Sequence, residues 1–333
     1  MKHSISAIEL ADELLRRRLI ESAATAPAQG NDRPWFISIV LGFSGWLAGI
    51  FALGCIALFF RPDTTADFAI AGVILLSAAL GLYAADRSGA FFDQLALALS
   101  IAGQLALAWA AWEATKSESA TAALVAVLQV ILLFVMPNAL AKVLAALFAC
   151  CAWAWAIRFA WWGHSGLRSA RQQIALVPAF VGWLVVWLPI IGAVHALIAT
   201  ERAWMASGLR RLARPALHGL LVSLAVATWV SQPSNHQLLW GGESQLQTNW
   251  VALWPLFNVA TALFAAFCAF RLRSRAMIGV AIAGALLHVA QFYYLLGTTL
   301  LIKSGIMLGV GVAALIAAHW LNHRHVRSEP EAS

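Results

Sequence analysis

Two sets of polar residues carry the chemistry this chain could perform, and both sit inside apolar runs. Asp93, Ser100 and Gln104 are spaced seven and four residues apart and share one helical face. Gly284, His288, Gln291 and Thr299 fall on one face of a second run at 100° per residue. A carboxylate and an imidazole can exchange protons, and hydroxyls and amides can hold a polar ligand. In lipid such groups are costly and face the bundle interior or a watery cavity. The chemistry they suggest is therefore a substrate or proton pathway, with His288 and Gln291 meeting the face around Ser100 and Gln104. The structural alternative is a set of satisfied interhelical hydrogen bonds, each worth about 0.6 kcal/mol on average. Gln129, His195 and Asn258 are further isolated polar residues in apolar runs, and read as helix-to-helix glue.

No covalent chemistry is legible. The chain has no Gly-rich phosphate loop, nucleophile elbow, H-E-x-x-H pair or nucleic-acid module, so no catalytic residue, cofactor or nucleic-acid partner is assigned. His319 and His323 have helical metal-ligand spacing and His325 lies close by. With no acidic or thiol residue completing the set, they read as a solvated tail beside Arg324 and Arg327, and no metal is assigned. Cys55, Cys150, Cys151 and Cys268 lie in apolar runs without a C-x-x-C and read as small hydrophobes.

The elements that must position the polar residues follow from composition. With 62% apolar and 11% charged residues among 333 and a positive mean hydropathy, the chain is not a soluble domain. In lipid, only helices and closed barrels satisfy their own backbone groups. Apolar runs of about twenty residues select helices. The fold class is all-α, a polytopic bundle of ten expected spans at roughly 36–60, 67–85, 91–112, 120–136, 138–161, 174–199, 215–231, 250–270, 276–301 and 304–321.

Residues 1–33 read as a cytoplasmic cap and linker, 34–321 as the transmembrane bundle and 322–333 as a cytoplasmic tail. In the cap, Ser6 and Glu9 form a capping-box pattern, and Ile8, Ala11, Leu15 and Leu19 form one apolar face of a short amphipathic helix. With both termini cytoplasmic, sixteen Lys and Arg lie inside and six outside, which fixes that orientation and accounts for most of the net charge of +7. Tryptophans near expected ends, such as Trp35, Trp112 and Trp161, fit an interfacial belt. Gly45 and Gly49 mark a close helix contact, as do Gly305 and Gly309. Pro178 and Pro189 are expected to interrupt the sixth span, as in transporters. The shared Gly-Trp-Leu at Gly45–Leu47 and Gly182–Leu184 raises an inverted repeat of two five-span halves.

Three blocks, Pro34 to Gly54, Phe91 to Trp109 and Phe292 to Gly311, resemble the bacterial domain-of-unknown-function family 4401, a relative of family 2157. The resemblance implies a multi-pass protein of the bacterial inner membrane, often encoded beside a periplasm-facing protein with a Gly-Asp-Tyr motif. It supplies no catalytic residues. Two functional readings follow: a carrier or lipid- and small-molecule-handling protein working through a polar site between spans three and nine, or a membrane scaffold or assembly factor for a periplasm-facing partner. Membrane lipids are the expected partners in both. An intramembrane hydrolase ranks third, since no nucleophile sits beside a base.

Overall fold

The structure, a computed structural model, describes residues 35–60, 63–85, 90–162, 176–231 and 254–295, with scattered positions between 301 and 315 that are helical. The expected N-terminal helix, the C-terminal tail with His319, His323 and His325, and Thr299 lie outside the described residues. The described chain forms helices α1 Trp35–Phe60, α2 Thr65–Ala84, α3 Ala90–Thr115, α4 Glu118–Val135, α5 Ala139–Trp162, α6 Leu176–Ala199, the short α7 Glu201–Ala206, α8 Arg210–Val226, α9 Trp254–Arg271 and α10 Arg275–Leu295. No strand occurs among the described residues. Eight of these helices are long and apolar enough to cross a membrane, with α8 counted through residue 231. The first expected span coincides with α1.

Local chemistry sets the helix ends. The Thr64 hydroxyl accepts the Asp67 amide at 3.3 Å while the Asp67 carboxylate accepts the Thr64 amide at 2.9 Å, a capping box that starts α2. Ser117 accepts the Ala120 amide at 3.4 Å to start α4, directly after Lys116 in a left-handed conformation. Asn138 accepts the Leu140 amide at 2.8 Å to start α5.

The helices pack as two lobes, each around one hub. Helices α1, α2 and α4 pack on α3, and α5, α6, α9 and α10 pack on α8, while the α4–α5 hairpin joins the lobes. Both hubs are approached at glycine. A Cβ on Gly72 would lie 2.9 Å from the Gly103 carbonyl oxygen, and one on Gly219 would lie 2.4 Å from that of Val143. Gly45 and Gly49 meet α3 at Phe91 and Ala98, as their spacing suggests.

Two expectations are corrected here. Helix α6 is continuous: Pro178 sits in its first turn, where a missing N–H costs nothing, and Pro189 is accommodated within it. Among the described residues, the second half also does not repeat the packing of the first. Helix α1 packs along α3, whereas its counterpart α6 packs mainly on α5 and α8 and touches α9 through side chains such as Phe180 and Trp183.

Helix α8 begins at Arg210, five residues before the expected span, and carries Pro215 inside it. A proline there has no N–H to give the carbonyl four residues back, that of Arg211. Lys142, buried on α5, donates its Nζ to that oxygen at 3.2 Å. The ammonium takes the place of the missing backbone donor.

Candidate functional site

The second hub helix does not stay α-helical to its end. After Val226 it tightens into a 3-10 turn, Ala227–Ser231, still inside the stretch that is long and apolar enough to span. A 3-10 turn that ends a helix leaves main-chain groups for other partners to satisfy. Here they come from three helices. His288 of α10 donates its Nε2–H to the Ala225 carbonyl at 3.1 Å, with the Thr228 hydroxyl also 3.1 Å from the same nitrogen. A carbonyl only accepts, so Nε2 carries the proton. Trp187 of α6 donates its indole N–H to the Ser231 hydroxyl at 2.7 Å, and that hydroxyl donates to the Thr228 carbonyl at 2.9 Å. Arg158 of α5 donates from Nη1 to the Val230 carbonyl at 3.4 Å.

His288, Thr228 and Trp187 are fully buried. Gln291, one turn further along α10 and buried as well, has its amide beside the His288 ring. The approach that permits this is Gly284, where a Cβ would lie 2.3 Å from the Ala225 carbonyl oxygen.

The expected polar residues therefore separate into different places. Ser100, which is buried, and Gln104, which is half-buried, do form a bonded group, but with α4: Gln129 donates to the Gln104 side-chain oxygen at 2.7 Å, and Gln104 donates to the Ser100 hydroxyl at 2.9 Å. Ser100 and Gln104 line a small cavity with Met136 and Phe148, between α3, α4 and α5. The expected meeting of His288 and Gln291 with Ser100 and Gln104 is thus corrected. Each set finds its partners on its own lobe, because α10 packs on α8 and α3 packs on α4. Asp93 stands in the first turn of α3 with its side chain exposed, away from Ser100 and Gln104, because a carboxylate at a helix end can reach water. Of the isolated polar residues, Gln129 and Asn258 are buried and bonded, while His195 is exposed near the end of α6. The four cysteines are free, Cys150 and Cys268 buried and Cys55 exposed.

Sequence reasoning missed Arg158 and the tryptophans around it. Arg158, Trp161, Gly182, Trp183, Ser231 and Trp254 line a crevice between α5 and α6 whose floor is the end of the 3-10 turn. The crevice is narrow, with room for about one water between its walls. Trp183 stacks on Phe180 with ring centroids 6.1 Å apart and donates its indole N–H to Asn258 Oδ1 at 3.3 Å. The available signal was a lone arginine inside an apolar run, with Trp183 and Trp187 one turn apart on the next helix. In the count of Lys and Arg, Arg158 is one of the six outside charges, which hid its place in the bundle.

A helical bundle with eight membrane-length apolar helices and polar side chains bonded between them is a multi-pass α-helical membrane protein. The chain belongs to the family described as domain of unknown function DUF4401, whose model matches residues 34–324. No curated protein and no solved structure matches it.

Proposed function

We propose that this protein is a carrier or lipid- and small-molecule-handling protein of the bacterial inner membrane, and that the break in α8 is the part that works. One observation carries this reading: a helix of membrane-spanning length ends in a 3-10 turn, where side chains from α5 and α10 hold its carbonyls and one from α6 holds the Ser231 hydroxyl. Carriers build their sites from discontinuous helices, whose main-chain groups can exchange a side-chain partner for a ligand. The bonded group at Ser100, Gln104 and Gln129 joins α3 to α4 within one lobe and serves as helix glue. In this reading the chain crosses the membrane ten times with both termini cytoplasmic, and the Arg158 end of the bundle faces outward.

The test is side-specific labelling in a background without the four native cysteines. A cysteine at Ser244 should react only from outside, which fixes orientation. A single cysteine at Ser231 should react with membrane-impermeant thiol reagents from outside in one condition and be reached from the cytoplasm in another. Reaction from one side only, whatever is added, removes the carrier reading. It leaves a scaffold or assembly factor for a periplasm-facing protein.

A further inference from the structure

We propose that the end of the bundle where α6 and α9 finish and α8 and α10 begin is a binding surface for anionic phospholipid headgroups. This rests on the helices crossing a membrane and is independent of the carrier reading. Helix α10 runs along α8 in the same direction, with Gly284 against Ala225 and His288 against Thr228, so both helices start at this end. The connector from α6 to α8 carries Arg202, Arg210, Arg211 and Arg214 there, all exposed. The turn from α9 to α10 adds Arg271, Arg273 and Arg275, exposed as well. None of these side chains has a hydrogen-bond or ion-pair partner among the described residues, and Glu201 is the one acidic residue on the two segments.

Orientation in the membrane asks for positive charge on one side but not at fixed places. Arg273 stands at a place that costs something. The Ser274 amide donates to the Ala269 carbonyl at 3.1 Å and the Arg273 amide to the Phe270 carbonyl at 3.0 Å, the paired bonds of a Schellman cap on α9. That cap puts Arg273 at the left-handed position, φ 53°, which glycine fills most cheaply. The connector does use glycine where it turns left-handed, Gly208 at φ 74°. An arginine held where glycine is easier is there for its side chain. The surface is also apolar in part. Met205 and Leu209 are 45% and 55% exposed between Arg202 and Arg210, and buried Trp204 donates its indole N–H to the Leu197 carbonyl at 2.7 Å, tying the connector to the end of α6. A phospholipid answers both features, with phosphate for the guanidinium forks and acyl chain for Met205 and Leu209. An acidic protein or a nucleic acid would meet the charges and leave the apolar pair in water. The chain's own ends bring no counter-charge, because residues 1–33 carry as many basic as acidic residues, and so do residues 322–333.

The experiment is native mass spectrometry of the full-length, delipidated protein with dioctanoyl phosphatidylglycerol, dioctanoyl phosphatidylcholine and inorganic phosphate as probes. Phosphatidylglycerol should bind more tightly than phosphatidylcholine, and Arg273→Gly should weaken its binding about fivefold, the worth of one arginine at an anionic surface. The same change should leave the lipid-free melting temperature unchanged or raise it, because glycine suits the left-handed backbone, whereas a structural role for the arginine predicts a drop. Lys116→Gly is the matched control. Lys116 is also a left-handed cation, but it lies at the opposite end, on the α3–α4 turn, and pairs with Glu113. Its loss should leave phosphatidylglycerol binding unchanged. Equal weakening by both variants means that net charge alone draws the lipid, and overturns the proposal. Equal binding of the two lipids overturns it too, as does full displacement by millimolar inorganic phosphate, which would make a free anion the ligand. If Arg273→Gly fails to fold, Arg271→Gln and Arg275→Gln carry the same fivefold expectation, and unchanged binding in both overturns the proposal. One-sided labelling at Ser231 would remove the carrier reading and leave this surface standing.

Discussion

The two lobes solve the same problem in different ways. Around α3, buried polar groups meet side chain to side chain, in the run Gln129 to Gln104 to Ser100 between unbroken helices. Around α8, side chains meet main chain: Lys142 covers the carbonyl freed by Pro215, and His288 and Arg158 cover carbonyls at the 3-10 turn. An amide pair between intact helices locks a register and has little else to exchange with. A carbonyl at a helix break can trade one donor for another at small cost, whether side chain, water or ligand. That difference places the adaptable element in the carboxy-terminal lobe and the rigid one in the amino-terminal lobe.

The largest expected effect comes from closing the approach that makes the break possible. Gly284→Ala puts a methyl 2.3 Å from the Ala225 carbonyl oxygen, a main-chain atom that cannot swing aside. Helix α10 must move off α8, at a cost of about 3 kcal/mol or more. A large drop in melting temperature in detergent is the expected readout. Gly192→Ala, with no neighbour within 4 Å, should leave it unchanged or raise it slightly. Equal behaviour of the two variants would mean that α8 and α10 are not in contact at this glycine.

His288→Ala comes next. It strips the Ala225 carbonyl of its donor and leaves a hole among fully buried residues, for a loss of about 2–3 kcal/mol. Against it stands the amide pair of the other lobe. Gln129→Leu alone strands the Gln104 oxygen and should cost about 1–3 kcal/mol, whereas the double change Gln104→Leu and Gln129→Leu removes both partners and should recover part of that loss. If the double variant is worse by the sum of the singles, the amides do more than hold each other.

Lys142 offers a cycle within the α8 lobe. Lys142→Met should cost about 1–2 kcal/mol where Pro215 leaves the Arg211 carbonyl open, and less in a Pro215→Ala background, where a backbone N–H returns. Equal costs in both backgrounds, measured as melting temperatures, would show that the ammonium serves some purpose other than the missing bond.

Apolar periodicity made the fold class and the positions of most described spans legible, because a membrane demands twenty apolar residues wherever a helix crosses. It also picked out His288, Gln291, Ser100 and Gln129, which are buried, and Gln104, which is half-buried. Their partners were hidden, since depth along a helix says nothing about which neighbour it packs on, and two residues at similar depth can belong to different lobes. The break in α8 left no mark because the residues Ala227 to Ser231 carry neither glycine nor proline, the usual punctuation. Proline pointed instead to α6, where it is absorbed. Arg158 lay in plain view, but a count of loop charges treats an arginine near a span end as topology rather than as a contact.

The smallest effect separates the two acceptors of His288. Its Nε2 lies 3.1 Å from both the Ala225 carbonyl and the Thr228 hydroxyl, and one N–H cannot serve both at full strength. The carbonyl has no other role open to it, whereas a hydroxyl can rotate. If the main chain is the true anchor, Thr228→Val keeps the shape, leaves the ring bonded to Ala225, and costs only the side-chain share, about 0.6 kcal/mol. Melting temperatures of Thr228→Val, His288→Ala and the double variant close a cycle in which the coupling should be small beside the cost of His288→Ala. A Thr228→Val loss as large as that of His288→Ala would reverse the assignment. It would make this contact a side-chain pair like Gln104 with Gln129, and remove the distinction between the lobes at the position where it is drawn most sharply.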